Sequence, residues 1–281
     1  MTATPDATIE WRELTPKVFM ATLQPESVNV GLVVGSEAAL LVDAGSAPEQ
    51  GALLLASANA RAGVPVTHVV VTHNHWDHWF GLAGMRGVVG IAHENLVGTQ
   101  PSADTLQQAG RLGLAELPLP AQTFSLARPV GLGGLHVEIL HFGGGHTSCD
   151  AFVFVPSENV LFVGDMLEQG ADPQFDETSD PKNWPLALDG VLGATNDATQ
   201  FVPGHGDIVD RRFAFIQRAE IGIIHGNSEW LVSQGTGVEE AATAVEWPFT
   251  RETMQVALPL AYAQLAAKGI RPRRQLPITG V

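Results

Sequence analysis

Three imidazoles and a carboxylate fall within six residues in His73-Asn74-His75-Trp76-Asp77-His78. They directly follow an apolar run, Val69-Val70-Val71, that reads as a buried strand ending at Thr72. Alternating residues of an extended segment point to opposite sides, and a turn lets close neighbours converge. A strand that delivers such a cluster to a short loop therefore suits metal ligation. Neutral imidazole together with carboxylate fits a borderline ion such as zinc.

Three further donors sit at the tips of apolar runs. His146 follows Gly143-Gly144-Gly145 after the run Val137 to Leu140. Asp165 follows Phe162-Val163-Gly164, and His205 follows Phe201-Val202-Pro203-Gly204. Glycine allows backbone to approach a bound ion and to adopt positive φ. The ordered pattern is His-x-His-x-Asp-His, then His, then Asp, then His.

Through His73, His75, Asp77, His78, His146, Asp165 and His205 the chain resembles the metallo-β-lactamase superfamily. Leu41-Val42-Asp43-Ala44-Gly45 is similar to the aspartate motif that this family places upstream, beneath the ligands. The resemblance implies an α/β fold, a four-layer αββα sandwich. It also implies that His73, His75 and His146 hold one ion, that Asp77, His78 and His205 hold a second, and that Asp165 bridges them. Zinc is the expected metal at two ions per chain, with iron and manganese as the other ions that such ligands accept. Two ions about 3.5–4 Å apart can share a hydroxide, whose pKa falls toward about 7. Asp77 would also orient that nucleophile and carry its proton to the leaving group. Asp43 would orient a ligand by hydrogen bonding, and His141, five residues before His146, is a second candidate for that task.

An aspartate bridge resembles the lactonase, thioesterase and glyoxalase-II-type branches more than the antibiotic hydrolases. The expected reaction is therefore hydrolysis of an ester, lactone, thioester or amide bond in a small molecule. Two alternatives stay open. One is β-lactam hydrolysis. The other is a persulfide dioxygenase-like enzyme with one iron held by His73, His146 and Asp165. Departures are visible too. The single tyrosine, Tyr262, lies far from the motifs, and Arg271, Arg273 and Arg274 match glutathione-binding segments poorly. Trp76, Trp79 and Phe80 beside the ligand loop, with Phe175 and Trp184 in the long stretch 168–185, are expected either to shape a substrate pocket or to pack in the core. An apolar pocket would select a neutral or apolar substrate.

The elements that must position these groups alternate. Strands are predicted over Val18 to Ala21, Val28 to Val34, Ala38 to Val42, Thr67 to Val71 and Val88 to Ala92, then over Leu135 to Phe142, Ala151 to Val155 and Val160 to Val163. Pro48 opens a helix to about Arg61, Ser102 caps one to about Leu112, and Asn183 is expected to cap Trp184 to Gly193. Helices then cover 211–233, 238–245 and 251–268. The expected organisation is one domain over 1–281 with a helical segment from about 211. His93 is expected to begin a helix, His136 to begin a strand, and His68 to pack.

Composition narrows the function classes. With 281 residues and 45% hydrophobic content the chain can build a sizeable core. A net charge of −15 disfavours a nucleic-acid partner. No run approaches the length of a membrane span. Met1 to Glu10 lacks a basic n-region and an apolar h-region, and Cys149 is the single cysteine, so a cytoplasmic enzyme is expected. Apolar stretches at 213–224 and 258–265 could mediate a homodimer or cover the sandwich.

Overall fold

The computed structural model describes residues 9–272. Strands β1 (Arg12–Thr15), β2 (Val18–Leu23), β3 (Val28–Val34) and β4 (Ala39–Val42) run antiparallel, and α1 (Pro48–Ala62) crosses over to β5 (Val66–Val70), parallel to β4. After β5 come a single helical turn α2 (Trp76–Trp79), a 3-10 segment (Phe80–Gly84), β6 (Val89–His93), α3 (Asn95–Gly98), α4 (Ala103–Leu112) and β7 (Gln122–Phe124). The second half comprises β8 (Ala127–Gly131), β9 (His136–Leu140), β10 (Phe152–Val155), β11 (Val160–Glu168), α5 (Trp184–Ala194) and β12 (Gln200–His205). Helices α6 (Arg211–Ser233), α7 (Val238–Ala244) and α8 (Arg251–Ala267) follow.

The strands are continuous in hydrogen bonding, in the order β7-β6-β5-β4-β3-β12-β11-β10-β9-β8, with β2 attached to β3 and β1 to β2. The strand ladder passes from one half to the other through the pairing of His205 with Val28. Side-chain alternation shows how they stack. In β2, Phe19, Ala21 and Leu23 pack with Leu54 and Ala58 of α1, whereas Val18 and Met20 face Val153, Val155 and Phe162 of the other half. In the second half Phe152, Phe154, Leu161 and Val163 turn outward onto α5 and α6. A period of two with both faces apolar produces four layers, helix-sheet-sheet-helix. The αββα sandwich expected from the sequence is thus the observed fold.

Several local expectations needed correction. Asn183 does not cap α5 with its side chain; Asp180 Oδ1 accepts from the Asn183 amide, and Asn183 Nδ2 donates to the Gly144 carbonyl. His93 ends β6 instead of starting a helix, and it is buried, stacked on His141 at 3.7 Å. Strands β1, β7 and β8 carry short, mixed sequences with little apolar signal, and only pairing to β2, β6 and β9 makes them strands. Among the apolar stretches, Leu258, Ala261 and Leu265 are buried among the C-terminal helices, while Phe215, Ile216 and Ile223 of α6 are exposed. Arg273 and Arg274 lie outside the described residues.

Candidate metal centre

Each donor arrives by a definable route. β5 runs into Val71 and Thr72, and the chain then turns through His73, Asn74 and His75. The single turn of α2 rotates Asp77 and His78 back toward the same point, with the His78 amide bonded to the His75 carbonyl. His146 sits in a loop after β9, wound around Asp150. That buried carboxyl accepts from the amides of Gly145 and Thr147 and from the Thr147 hydroxyl. Asp165 follows Gly164, whose φ of 52° breaks the register of β11 against β12. His205 ends β12.

These routes converge. His73, His75, His146 and Asp165 form one group, and Asp77, His78 and His205 a second; within each, one donor atom per residue lies within 4.8 Å of all the others. Asp165 joins them. Its Oδ2 is 3.6 Å from His73 Nε2, 3.5 Å from His146 Nε2 and 3.6 Å from His205 Nε2, while its Oδ1 is 3.1 Å from His78 Nε2. Asp77 Oδ2 lies 3.4 Å from His205 Nε2.

The hydrogen-bond partners of the rings suit this cluster to metal ligation. His78 Nδ1 faces Asp43 Oδ2 at 2.8 Å, and His146 Nδ1 faces the Gln174 carbonyl at 2.9 Å. His75 Nε2 faces Asp176 Oδ2 at 2.8 Å. His73 Nδ1 meets the Thr72 hydroxyl, which itself donates to Asp43. In each ring the outer nitrogen has an acceptor and so takes the proton, and the inner nitrogen turns its lone pair to the centre. Two of these lone pairs, His75 Nδ1 and His146 Nε2, stand 2.8 Å apart, and His73 Nε2 and Asp165 Oδ1 are buried without a hydrogen-bond donor. Ligands about 2.0–2.1 Å from a tetrahedral ion lie roughly 3.3 Å apart, close to these separations. The residues present fit divalent cations.

Electrostatics divide the rings: burial lowers His73 and His146, whereas carboxylate neighbours outweigh burial and raise His75, His78 and His205. Burial pushes the His73 imidazole well down despite the Asp165 charge, and burial with the neighbouring His75 brings His146 down to about 4. Both rings are therefore neutral at physiological pH, as ligands must be. Burial alone would raise Asp165, but the neighbouring His78, itself raised by the carboxylates around it, outweighs burial and holds the carboxyl well below the usual carboxylate range.

Asp43 anchors the floor. Its backbone has φ 64°, a region that Asp tolerates better than most residues, and its Oδ1 accepts from the Thr72 amide at 2.7 Å. Asp43→Asn keeps the backbone but offers one oxygen where two are used. It is expected to weaken metal affinity by about 10- to 100-fold, read by competition with a chelating dye. Unchanged affinity would remove Asp43 from the assembly.

Other sequence candidates are distributed differently. Trp76 and Phe175 line the cleft above the donors. Trp79, Phe80 and Trp184 do not: all three are buried in the core, Trp79 with its indole on the Pro118 carbonyl and Trp184 with its indole on the Met166 carbonyl. Trp184 still bears on the site, because its ring lies 5.5 Å from that of His146. His141 touches no donor; its Nδ1 bonds the Asp150 carbonyl, so it reaches His146 only through the loop. Tyr262 bonds the Thr236 carbonyl beside α7, away from the cleft. Burial pushes the Cys149 thiol up to about 12, which removes it as a thiolate ligand. Asp176 and Glu168 are contributors that the sequence did not single out. Both lie in the 168–185 stretch, ninety or more residues from the His cluster, and no local pattern marks them. Glu168 is buried, and burial with the nearby Asp165 charge raises it to about 8.

A two-half αββα sandwich with clustered histidines and aspartates at the junction of its sheets defines a metallohydrolase scaffold. The family profile described as metallo-beta-lactamase superfamily matches residues 23–205, and the chain belongs to that superfamily of metal-dependent hydrolases. A metallo-beta-lactamase type 2 from Bacteroides fragilis is 30% identical over 183 residues, 64% of this chain and 69% of that protein. A probable hydroxyacylglutathione hydrolase from Schizosaccharomyces pombe is 26% identical over 164 residues, 56% of this chain and 55% of that protein. Among solved structures, a metallo-beta-lactamase from Pontibacter korlensis superposes with a TM-score of 0.61 at 25% identity, covering 75% of this chain and 99% of its own. A stereoselective inverting sec-alkylsulfatase from Pseudomonas sp. reaches 0.73 at 18% identity over 91% of this chain and 50% of its own, a likeness of fold. Among the described residues no helix is long and apolar enough to cross a membrane.

Proposed function

We propose that this chain is a binuclear zinc hydrolase that cleaves an ester, lactone, thioester or amide bond of a small molecule. The observation that carries the reading is Asp165, which presents one oxygen to His73 and His146 and the other to His78. His73, His75 and His146 would hold one ion, Asp77, His78 and His205 the other, with Asp165 shared. A one-iron site of His73, His146 and Asp165 would leave the convergence of Asp77, His78 and His205 without a task.

Bound there, two zinc ions would polarise the scissile carbonyl and activate a water as nucleophile near neutral pH. The protein supplies the rest. Asp43 and Asp176 fix the ring orientations of His78 and His75, so the inner nitrogens need no reorganisation. Asp77 is a half-buried carboxylate that lines the cleft beside His205, where it would orient the nucleophile and relay its proton to the leaving group. Trp76 and Phe175 wall the opening and exclude water from one side of a bound substrate. The same reading takes the enzyme to be cytoplasmic, supported by its single, buried cysteine.

Elemental analysis of protein purified without added metal tests this first. Close to two zinc ions per chain is the expected result, with turnover in a panel of lactones, thioesters and β-lactams. About one iron with little zinc, and oxygen uptake with persulfides, would replace the proposal. Removing the ions with a chelator should also lower the melting temperature reversibly. Bound ligand at a hundredfold excess over its Kd contributes about 2.7 kcal/mol per site. A melting temperature indifferent to chelation would contradict a metal tied into both halves.

A further inference from the structure

The cleft over the donors has a volume of about 860 Å³ and adjoins a second hollow of about 760 Å³ beneath α6 and the start of α8. Glu168, Gly170 and Ala171 line both. The sequence allowed an apolar pocket; the lining is acidic instead. Apart from the histidines, every ionisable side chain along these two cavities is a carboxylate, and among the described residues no lysine or arginine reaches either. Glu26, Asp104 and Asp207 add to the donor carboxylates on one side, and Asp172 and Glu220 extend the acidic lining on the other.

Some of these groups are already used. Asp104 accepts from the Trp76 indole, and Asp172 accepts from Thr250 and Thr253. Glu168 is different. Its residue is 3% exposed, its Oε2 has no hydrogen-bond partner among the described residues, and it stands where the two cavities join. Its backbone is fixed there by the buried Gln217, whose amide accepts from the Glu168 N–H at 2.9 Å and donates to the Glu168 carbonyl at 2.8 Å. Glu26 Oε2 is also buried and without a partner. A buried carboxyl oxygen without a partner is costly, and a cationic ligand N–H supplies the missing donor while favouring the charged form against the burial that raises Glu168. The faces of Trp76 and Phe175 in the same cleft, and of Phe249 in the second hollow, add attraction for a cation.

Resting on the hydrolase reading above, we propose that the substrate carries an organic cation with N–H donors, an ammonium or guanidinium, which Glu168 binds at the mouth of the second hollow. Anionic substrates are rejected by the same lining, since nothing in it offers a carboxylate, phosphate or sulfate a fixed positive side chain. The negative field of the whole chain acts in the same direction.

Three p-nitrophenyl esters of matched length test this on the zinc-loaded enzyme: those of 6-guanidinohexanoic acid, 6-ureidohexanoic acid and pimelic acid. The guanidinium ester is expected to exceed its neutral urea isostere at least tenfold in kcat/KM, and the pimelic hemiester to be the poorest. Salt at 0.5 M should shrink the first ratio only in part, because the exposed carboxylates of the lining are screened while the pair buried at Glu168 is screened much less. Glu168→Gln should reduce it several-fold, mainly through KM for the guanidinium ester, with zinc content unchanged. A ratio at or below one, or a ratio that Glu168→Gln leaves intact, would overturn the proposal. Calorimetric binding of hexylguanidinium against hexylurea gives the same comparison without chemistry. If no ester turns over, the hydrolase reading fails, and tighter binding of hexylguanidinium still decides for the cation site, equal binding against it.

Discussion

Asp165→Ala is expected to leave the protein unable to hold two ions and to lower kcat/KM by more than the roughly 10- to 100-fold typical of losing an outer hydrogen-bonding partner. The reason is position. Asp165 is buried, and its two oxygens lie within 3.6 Å of nitrogens on four histidines drawn from the His cluster, the His146 loop and the end of β12. Alanine leaves four converging imidazoles with no shared anion, so two adjacent dications would repel across an unscreened, low-dielectric gap. Metal content per chain and kcat/KM on the best substrate are the measurements. Two ions bound with full activity would refute the bridging role. A folding defect is distinguished by far-ultraviolet circular dichroism and by Asp165→Asn, which keeps the shape and removes the charge.

Gly204→Ala is the second large expectation, and it arises from packing alone. A Cβ at residue 204 would press into Asp165 Oδ1 and stand 3.0 Å from both His78 Cε1 and the Gly164 carbonyl carbon. Its neighbours are a buried carboxylate already fixed by four rings and the backbone of β11, so neither can retreat cheaply. One methyl group should therefore displace the Asp165 carboxylate from one half of the site. The expected result is loss of at least one ion and a fall in kcat/KM comparable to that of Asp165→Ala. Gly110→Ala is the contrast: this glycine lies exposed in α4 with open space where the methyl would go. It should gain about 0.5–1 kcal/mol of stability and leave metal content alone. A Gly204→Ala enzyme with normal zinc would show that β12 can slide against β11.

The reach of the sequence differed from group to group. His73, His75, Asp77 and His78 were legible because a strand signal ran straight into a dense donor cluster. His146, Asp165 and His205 were legible because each follows a glycine at the end of an apolar run. Asp176 was not, although it holds His75 at 2.8 Å across 101 residues of sequence. An aspartate in an irregular stretch resembles any loop aspartate until the chain folds back. Glu168 was hidden for the opposite reason. It ends a strand whose nine residues are all buried, and a charged residue at a strand end usually reads as its solvated limit. Trp79 follows the His cluster directly and Trp184 lies in the long stretch after Asp165, yet both faces of a sandwich need large side chains, and the core took them.

What the sequence determined by itself was the set of strands with period-two apolar faces and the donors at their ends, because these depend on residue type and spacing over a few positions. Together with the family resemblance that these donors carry, they point to the layered architecture and to the candidate metal-binding groups. Only the tertiary structure decided which ring nitrogen faces inward, that Asp165 stands between the two donor groups, and that the surrounding cleft is acidic with Glu168 unpartnered in it. Those features depend on distances between residues far apart in the chain. They are set by how the two halves stack and by the junction at His205 and Val28, which no local pattern encodes.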